Sequence, residues 1–182
     1  MSQKNYIIKI IEVLLNGKKH LRQIAKEIKT NQTTTARKLQ DLYKENVVDF
    51  EYAGKNKVFF LKKTFEAKQY CLIMEQYKTL DSIKKYPVLR NIFEKIRKNE
   101  KISMALIFGS YAKQTSTKES DIDIYIETLD KEIKKEIESI NSRISVKIGN
   151  YEKENLLIKE IEKNHIIIKG GEEFYEKNSF FA

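Results

Sequence analysis

A chain of 182 residues with 41% hydrophobic and 34% charged residues can form one medium or two small globular domains, and neither half has the composition of a disordered segment. No apolar run is long enough to span a bilayer, no signal peptide is present, and the single Cys71 excludes an intramolecular disulfide, so the expected location is cytoplasmic with no membrane partner. Residues 1 to 100 carry 22 Lys+Arg against 11 Asp+Glu and residues 101 to 182 carry 13 against 15, so the net +9 lies wholly in the N-terminal part and points to a polyanion partner for it.

Tyr6, Ile7, Ile10, Ile11, Val13 and Leu14 recur at helical spacing and stop at Asn16-Gly17. Leu21, Ile24, Ala25 and Ile28 predict a short second helix, and Thr30-Asn31-Gln32 a tight turn. Ala36, Leu39, Leu42 and Tyr43 form the apolar stripe of a third helix whose start is marked by Thr33-Thr34-Thr35. Two β-prone runs, 47–52 and 57–61, then flank Ala53-Gly54-Lys55-Asn56, which predicts a hairpin with lysines at and beside its tip. This order over residues 5–63 is similar to the winged helix-turn-helix domains of archaeal and bacterial transcription regulators. The resemblance implies a third helix entering the major groove of duplex DNA. Gln32, Thr33, Thr34, Arg37 and Lys38 are then the candidates for base or phosphate contact, with Lys55 and Lys57 on the wing reaching phosphate. A protein-interaction or dimerisation module is the other role open to such a unit.

Phe65 to Tyr86 reads as a long helix halted at Tyr86-Pro87, and Val88 to Arg97 as another with Pro87 suited to its first turn. The apolar stripe of the long helix suits a homodimer interface or burial against a neighbouring domain. Cys71, within Tyr70-Cys71-Leu72-Ile73-Met74, is expected to be a packing residue. Met104 to Phe108 is apolar on both alternating faces, as in a strand covered on both sides, and runs into Gly109-Ser110. Gly109 lets the backbone approach a ligand closely, and the Ser110 hydroxyl and N–H would lie at the positive end of a helix begun by Tyr111, where phosphate binds favourably. After a short spacer Asp121-Ile122-Asp123 opens a second strand, with both carboxylates on one face and Ile122, Ile124 and Ile126 on the other. Two carboxylates facing one point call for a cation, and hard oxygen ligands suit magnesium, or manganese, carrying substrate phosphates. A helix over Leu129–Ile140, a strand over Ile144–Ile148, a helix over Asn155–Lys163 and a strand over His165–Lys169 complete an α/β sheet. His20 and His165 are expected to be structural, and Phe174, Tyr175, Phe180 and Phe181 to form a packing tail.

Phe108-Gly109-Ser110 and Asp121-Ile122-Asp123-Ile124 resemble the signature of the DNA polymerase beta-type nucleotidyltransferases, specifically the small minimal members found in archaea and bacteria. The resemblance implies nucleotidyl transfer from a nucleoside triphosphate, with Asp121 and Asp123 as catalytic metal ligands, Gly109 and Ser110 holding phosphate and Lys113 neutralising it. It also implies Mg2+ (or Mn2+) and, since family members often pair with HEPN-domain toxins, a HEPN-type partner protein. Active members usually bring a third carboxylate from the strand after the helix, and Ile144-Ser145-Val146-Lys147-Ile148 has none. Glu127, on the Asp121–Asp123 face but four residues beyond Asp123, is not expected to replace it. Two functions therefore stand: a magnesium-dependent nucleotidyltransferase carrying a DNA-binding winged helix, or a DNA-binding regulator or antitoxin-like protein whose nucleotidyltransferase fold senses a nucleotide or binds a partner with little or no turnover. The expected fold is α+β with two domains. A three-helix winged helix-turn-helix with a β-hairpin wing (1–63) and a helical connector (64–100) precede an α/β nucleotidyltransferase fold with a mixed sheet (101–182).

Overall fold

The computed structural model describes residues 3–181. The first compact unit reaches Tyr77 and the second runs from Lys78 to Ser179. In the first, α1 (Gln3–Leu15), α2 (Leu21–Glu27) and α3 (Gln32–Lys44) bury Ile10, Ile11, Leu14, Ile24, Ile28, Leu39 and Leu42. These are the positions at helical spacing, and each removes roughly 1.5–3 kcal/mol worth of apolar surface from water as an upper estimate. Asn31 caps α3, its side chain accepting from the Thr34 N–H at 2.7 Å, so the helix begins at Gln32, within the expected turn and one residue before the threonine run. Strands β2 (Val48–Ala53) and β3 (Asn56–Leu61) form the wing around Gly54, whose φ of +62° a two-residue hairpin turn requires. A short strand, β1 (Lys19–His20), pairs with β3 to give the antiparallel order β1-β3-β2. Helix, strand, helix, helix and wing in this order make the unit a winged helix-turn-helix.

Helix α4 (Phe65–Lys85) is continuous, and α5 (Leu89–Lys98) follows Pro87. Residues 64–100 do not stand apart as a connector: α4 contributes its length to Tyr77 to the first unit, and its end and α5 belong to the second. Cys71 is buried in α4, as a packing residue is.

The second unit is built on β4 (Ala105–Ile107), β5 (Ile122–Glu127), β6 (Ile144–Gly149) and β7 (Ile166–Lys169), in the order β6-β5-β4-β7. β4 runs antiparallel to both β5 and β7, while β5 and β6 are parallel, so the sheet is mixed. α6 (Gly109–Ala112) follows β4, and α7 (Lys131–Glu138) makes the crossover between the parallel strands. α8 (Leu156–Lys163) and α9 (Gly171–Lys177) flank β7 in the chain. Every second residue of each strand, among them Ile107, Ile122, Ile124, Ile126, Val146 and Ile168, joins one core cluster with Ile92, Phe93 and Ile96 of α5 and Ile133 and Ile137 of α7. The intervening residues of β5 and β6, including Asp123, Ser145 and Lys147, occupy the opposite face. Phe174 and Tyr175 are buried in α9, so this part of the expected packing tail is a helix. His165 is buried as a structural residue, its Nδ1 2.8 Å from the Ile161 carbonyl oxygen and its ring 4.4 Å from that of Phe174.

The fold as a whole is therefore α+β, with an N-terminal winged helix-turn-helix and a C-terminal α/β unit on a mixed sheet. Among the described residues no helix is long and apolar enough to cross a membrane.

Candidate nucleotide site and nucleic-acid surface

The antiparallel β4–β5 pair sets the geometry of the first site. The Phe108 N–H donates to the Asp123 carbonyl at 3.0 Å, so the chain leaves β4 directly beside the aspartate. There it turns through Gly109 at φ +67°, a left-handed conformation that glycine adopts without steric cost. A Cβ at this position would lie 3.2 Å from the Asp123 Cγ and closer still to its Oδ2, so bare backbone and carboxylate are packed without room for a side chain. Gly109 starts the single turn α6, and half-buried Ser110 is its second residue. Asp121 is exposed and precedes β5, one residue outside the strand it was expected to open, while Asp123 is half-buried within it.

The electrostatics follow from this placement. Burial, with the charge of Asp121 and that of Glu160 adding to it, raises the Asp123 carboxyl above the usual carboxylate range, and Lys147 opposes the shift. By register Asp123 lies beside Ser145, and Lys147 lies beside Tyr125 one pleat further on. Lys147 therefore presents its cation on the sheet face that carries Asp123. Lys113, the proposed phosphate neutraliser, is ion-paired to Glu160 of α8 at 2.8 Å. Glu160 was not foreseen: it sits on an amphipathic helix far along the chain, and no local pattern separates it from an ordinary surface glutamate. The Glu127 Oε1 accepts from Lys177 Nζ at 2.6 Å and from the Tyr151 N–H at 3.3 Å.

Among the described residues no three His, Cys, Asp or Glu side chains lie close enough together to hold a metal ion by themselves. Asp123, whose proton affinity is raised and which packs against the glycine turn, together with Asp121 two residues before it, nonetheless fits a divalent cation that takes its remaining oxygens from a bound phosphate and water, as magnesium commonly does.

The second candidate surface lies on the winged helix. Thr33 and Arg37 are exposed one turn apart on α3, and Thr34 is partly covered by its cap interaction. Lys38 points elsewhere: it is buried to 9% exposure with its ammonium 3.3 Å from Asp41, on the inner side of the helix beside Leu39 and Leu42. Gln32 lies with Lys55 and Lys57 on the wall of a concavity of about 990 Å³ between α2, α3 and the wing. Lys57 stands 3.8 Å over the Phe50 ring.

Residues 90–178 match the family model described as polymerase beta, nucleotidyltransferase. That span covers β4 to β7 and includes Gly109, Ser110, Lys113, Asp121 and Asp123. No curated protein matches the chain. Among solved structures, the chain is similar to the homodimeric winged helix-turn-helix DNA-binding domain (fragment 1–100) of a possible ArsR-family transcriptional regulator from Mycobacterium bovis. The identity is 17% and the TM-score 0.34, and the match covers 43% of this chain and 68% of that one.

Proposed function

We propose that the second unit binds a nucleoside triphosphate with magnesium at the Gly109–Asp123 site and transfers its nucleotidyl group to an acceptor. The first unit holds DNA. The observation that carries this is the packing of the Gly109 backbone against Asp123, with Asp121 beside it. Backbone N–H groups and the Ser110 hydroxyl supply donors for phosphate, and the two carboxylates supply hard ligands for the cation. When bound, the cation would polarise the transferred phosphoryl group and neutralise its charge. Asp121 and Asp123 would hold that cation, and Gly109, having no side chain, lets the backbone turn directly beside Asp123. Lys113, once released from Glu160, neutralises a phosphate oxygen.

A second reading is favoured by Lys147. A cation on the Asp123 face can hold a phosphate but cannot accept the proton of an attacking hydroxyl, so binding and turnover separate. The protein then acts as a nucleotide-sensing DNA-binding regulator or antitoxin-like partner protein. Incubation of the pure protein with labelled nucleoside triphosphates, magnesium and total cell extract distinguishes the two. Label transfer that is lost in Asp121→Ala supports the enzyme, and nucleotide binding without transfer supports the regulator. For the DNA role, duplex affinity should fall steeply with salt, and Arg37→Ala should weaken it by about 1–3 kcal/mol if Arg37 reads a base. No duplex binding at about 50 mM salt would turn the first unit into a protein-interaction module.

A further inference from the structure

The concavity on the first unit carries aromatic rings beside the cations and amides that a duplex could use. Phe50 is the hub of an aromatic cluster, with ring centroids 5.7 Å from Tyr43, 5.7 Å from Tyr52 and 5.9 Å from Phe59. Phe50, Tyr52 and Phe59 share one face of the wing, since Phe50 pairs with Phe59 across the strands and Tyr52 with Lys57, and Tyr43 meets them from α3. The outer members are too open to be core: Tyr43 is 49% and Tyr52 68% exposed. Among the described residues the wall carries Arg22, Lys55 and Lys57 and no acidic side chain, and the amides of Gln32, Gln40 and Asn56 lie on it too. A duplex hides its base faces in the stack and offers phosphates and base edges, so solvent-exposed rings gain little from it. Unpaired bases offer π faces, and rings, amides and cations together match a base, its edge and its phosphate.

We infer that this aromatic concavity, together with the exposed Tyr52 ring that stands outside its lining and edge-on to Phe50, is a binding site for a single-stranded nucleic-acid segment, with unpaired bases stacking on Tyr43 and Tyr52 and the backbone neutralised by Arg22 and Lys55. The inference rests on the nucleic-acid role proposed for this unit and shares Gln32, Lys55 and Lys57 with the duplex candidates, but it does not use Thr33 and Arg37. Gln32, Ala36, Gln40 and Tyr43 line the concavity, whereas Thr33 and Arg37 lie outside it. The two assignments therefore fail separately.

The test uses the full chain with a labelled 12-nucleotide oligothymidylate and a duplex of equal length, followed by fluorescence anisotropy at about 50 mM salt. Tyr43→Ala and Tyr52→Ala should each weaken the single strand about 5- to 100-fold, as loss of one stacked base does. Tyr43→Phe and Tyr52→Phe should stay within about 2-fold of the natural protein, because the ring and not the hydroxyl carries the contact. Arg37→Ala should weaken the duplex and leave the single strand unchanged. Because the chain contains no tryptophan, Tyr52→Trp adds a single reporter whose emission a stacked base should quench. Failure of the natural protein to bind oligothymidylate would overturn the site, whether or not the duplex binds. Alanine variants that bind the strand as well as the natural protein, or an unquenched Trp on a bound strand, would overturn it equally.

Discussion

Replacing Gly109 with alanine probes the junction on which the nucleotide site is built. At φ +67° any residue with a Cβ pays roughly 1–2 kcal/mol for the left-handed backbone. The new methyl would also lie 3.2 Å from the Asp123 Cγ, closer still to Oδ2, and force that side chain off its rotamer at about 0.5–1.5 kcal/mol more. Gly109→Ala should therefore cost about 2–3 kcal/mol, read from chemical denaturation followed by circular dichroism. The same variant should lose metal-dependent nucleotide binding, because the displaced carboxylate no longer faces the turn. In a Gly109→Ala, Asp123→Ala double variant the overlap is gone and only the backbone term remains, so the two substitutions should be coupled by about 1 kcal/mol. A loss below about 0.5 kcal/mol in Gly109→Ala, or strict additivity in the double variant, would refute the close approach.

The remaining predictions concern the charges around Asp123. Its carboxyl is raised by burial first and by Asp121 next, so the folded state binds a proton more tightly than the unfolded chain does. The stability this group contributes is therefore fully present below the ordinary carboxylate range and is lost as pH rises through the raised folded value. Asp123→Asn should flatten this dependence and raise the denaturation midpoint at neutral pH, and an unchanged profile would show that the carboxylate is not strained. Glu160→Gln frees Lys113 from its half-exposed ion pair and removes a like charge from Asp123, so triphosphate affinity should rise up to about 5-fold, the limit set by such pairs. A fall on titration with nucleotide would place Lys113 outside the site. Lys147→Asp should tighten metal binding by calorimetry, since a third anion raises the field on the cation, and weaker binding would show that Lys147 itself holds the phosphate.

The helices of both units were legible because their apolar residues keep helical spacing. The strands around the site were legible because alternation fixes which residues share a face. Asp123 and Lys147 occupy the face opposite Ile122, Ile124 and Val146 for that reason. Strand β1 escaped because Lys19-His20 carries no apolar alternation and exists only through its pairing with Phe59 and Val58. The partition at Tyr77 escaped because α4 is unbroken there, and the division is made by tertiary contacts that no Pro, Gly or charge run marks. Lys38 illustrates the limit of motif placement. It lies next to Arg37, yet the helix turns it inward to Asp41. Glu160 meets Lys113 through contact between elements distant in sequence, and the aromatic hub at Phe50 arises where α3 packs on the adjoining hairpin, neither of which local periodicity encodes.

Titration of the protein with a nucleoside triphosphate in the presence and absence of magnesium, for the natural chain and for Asp123→Asn, tests the central claim most directly. Magnesium should promote binding by the natural protein, and the variant, which keeps the volume of the side chain and loses its charge, should bind with no metal dependence. Equal affinity with and without the metal in the natural protein, or an undiminished metal effect in Asp123→Asn, would contradict the assignment of Asp121 and Asp123 as the pair that holds the cation.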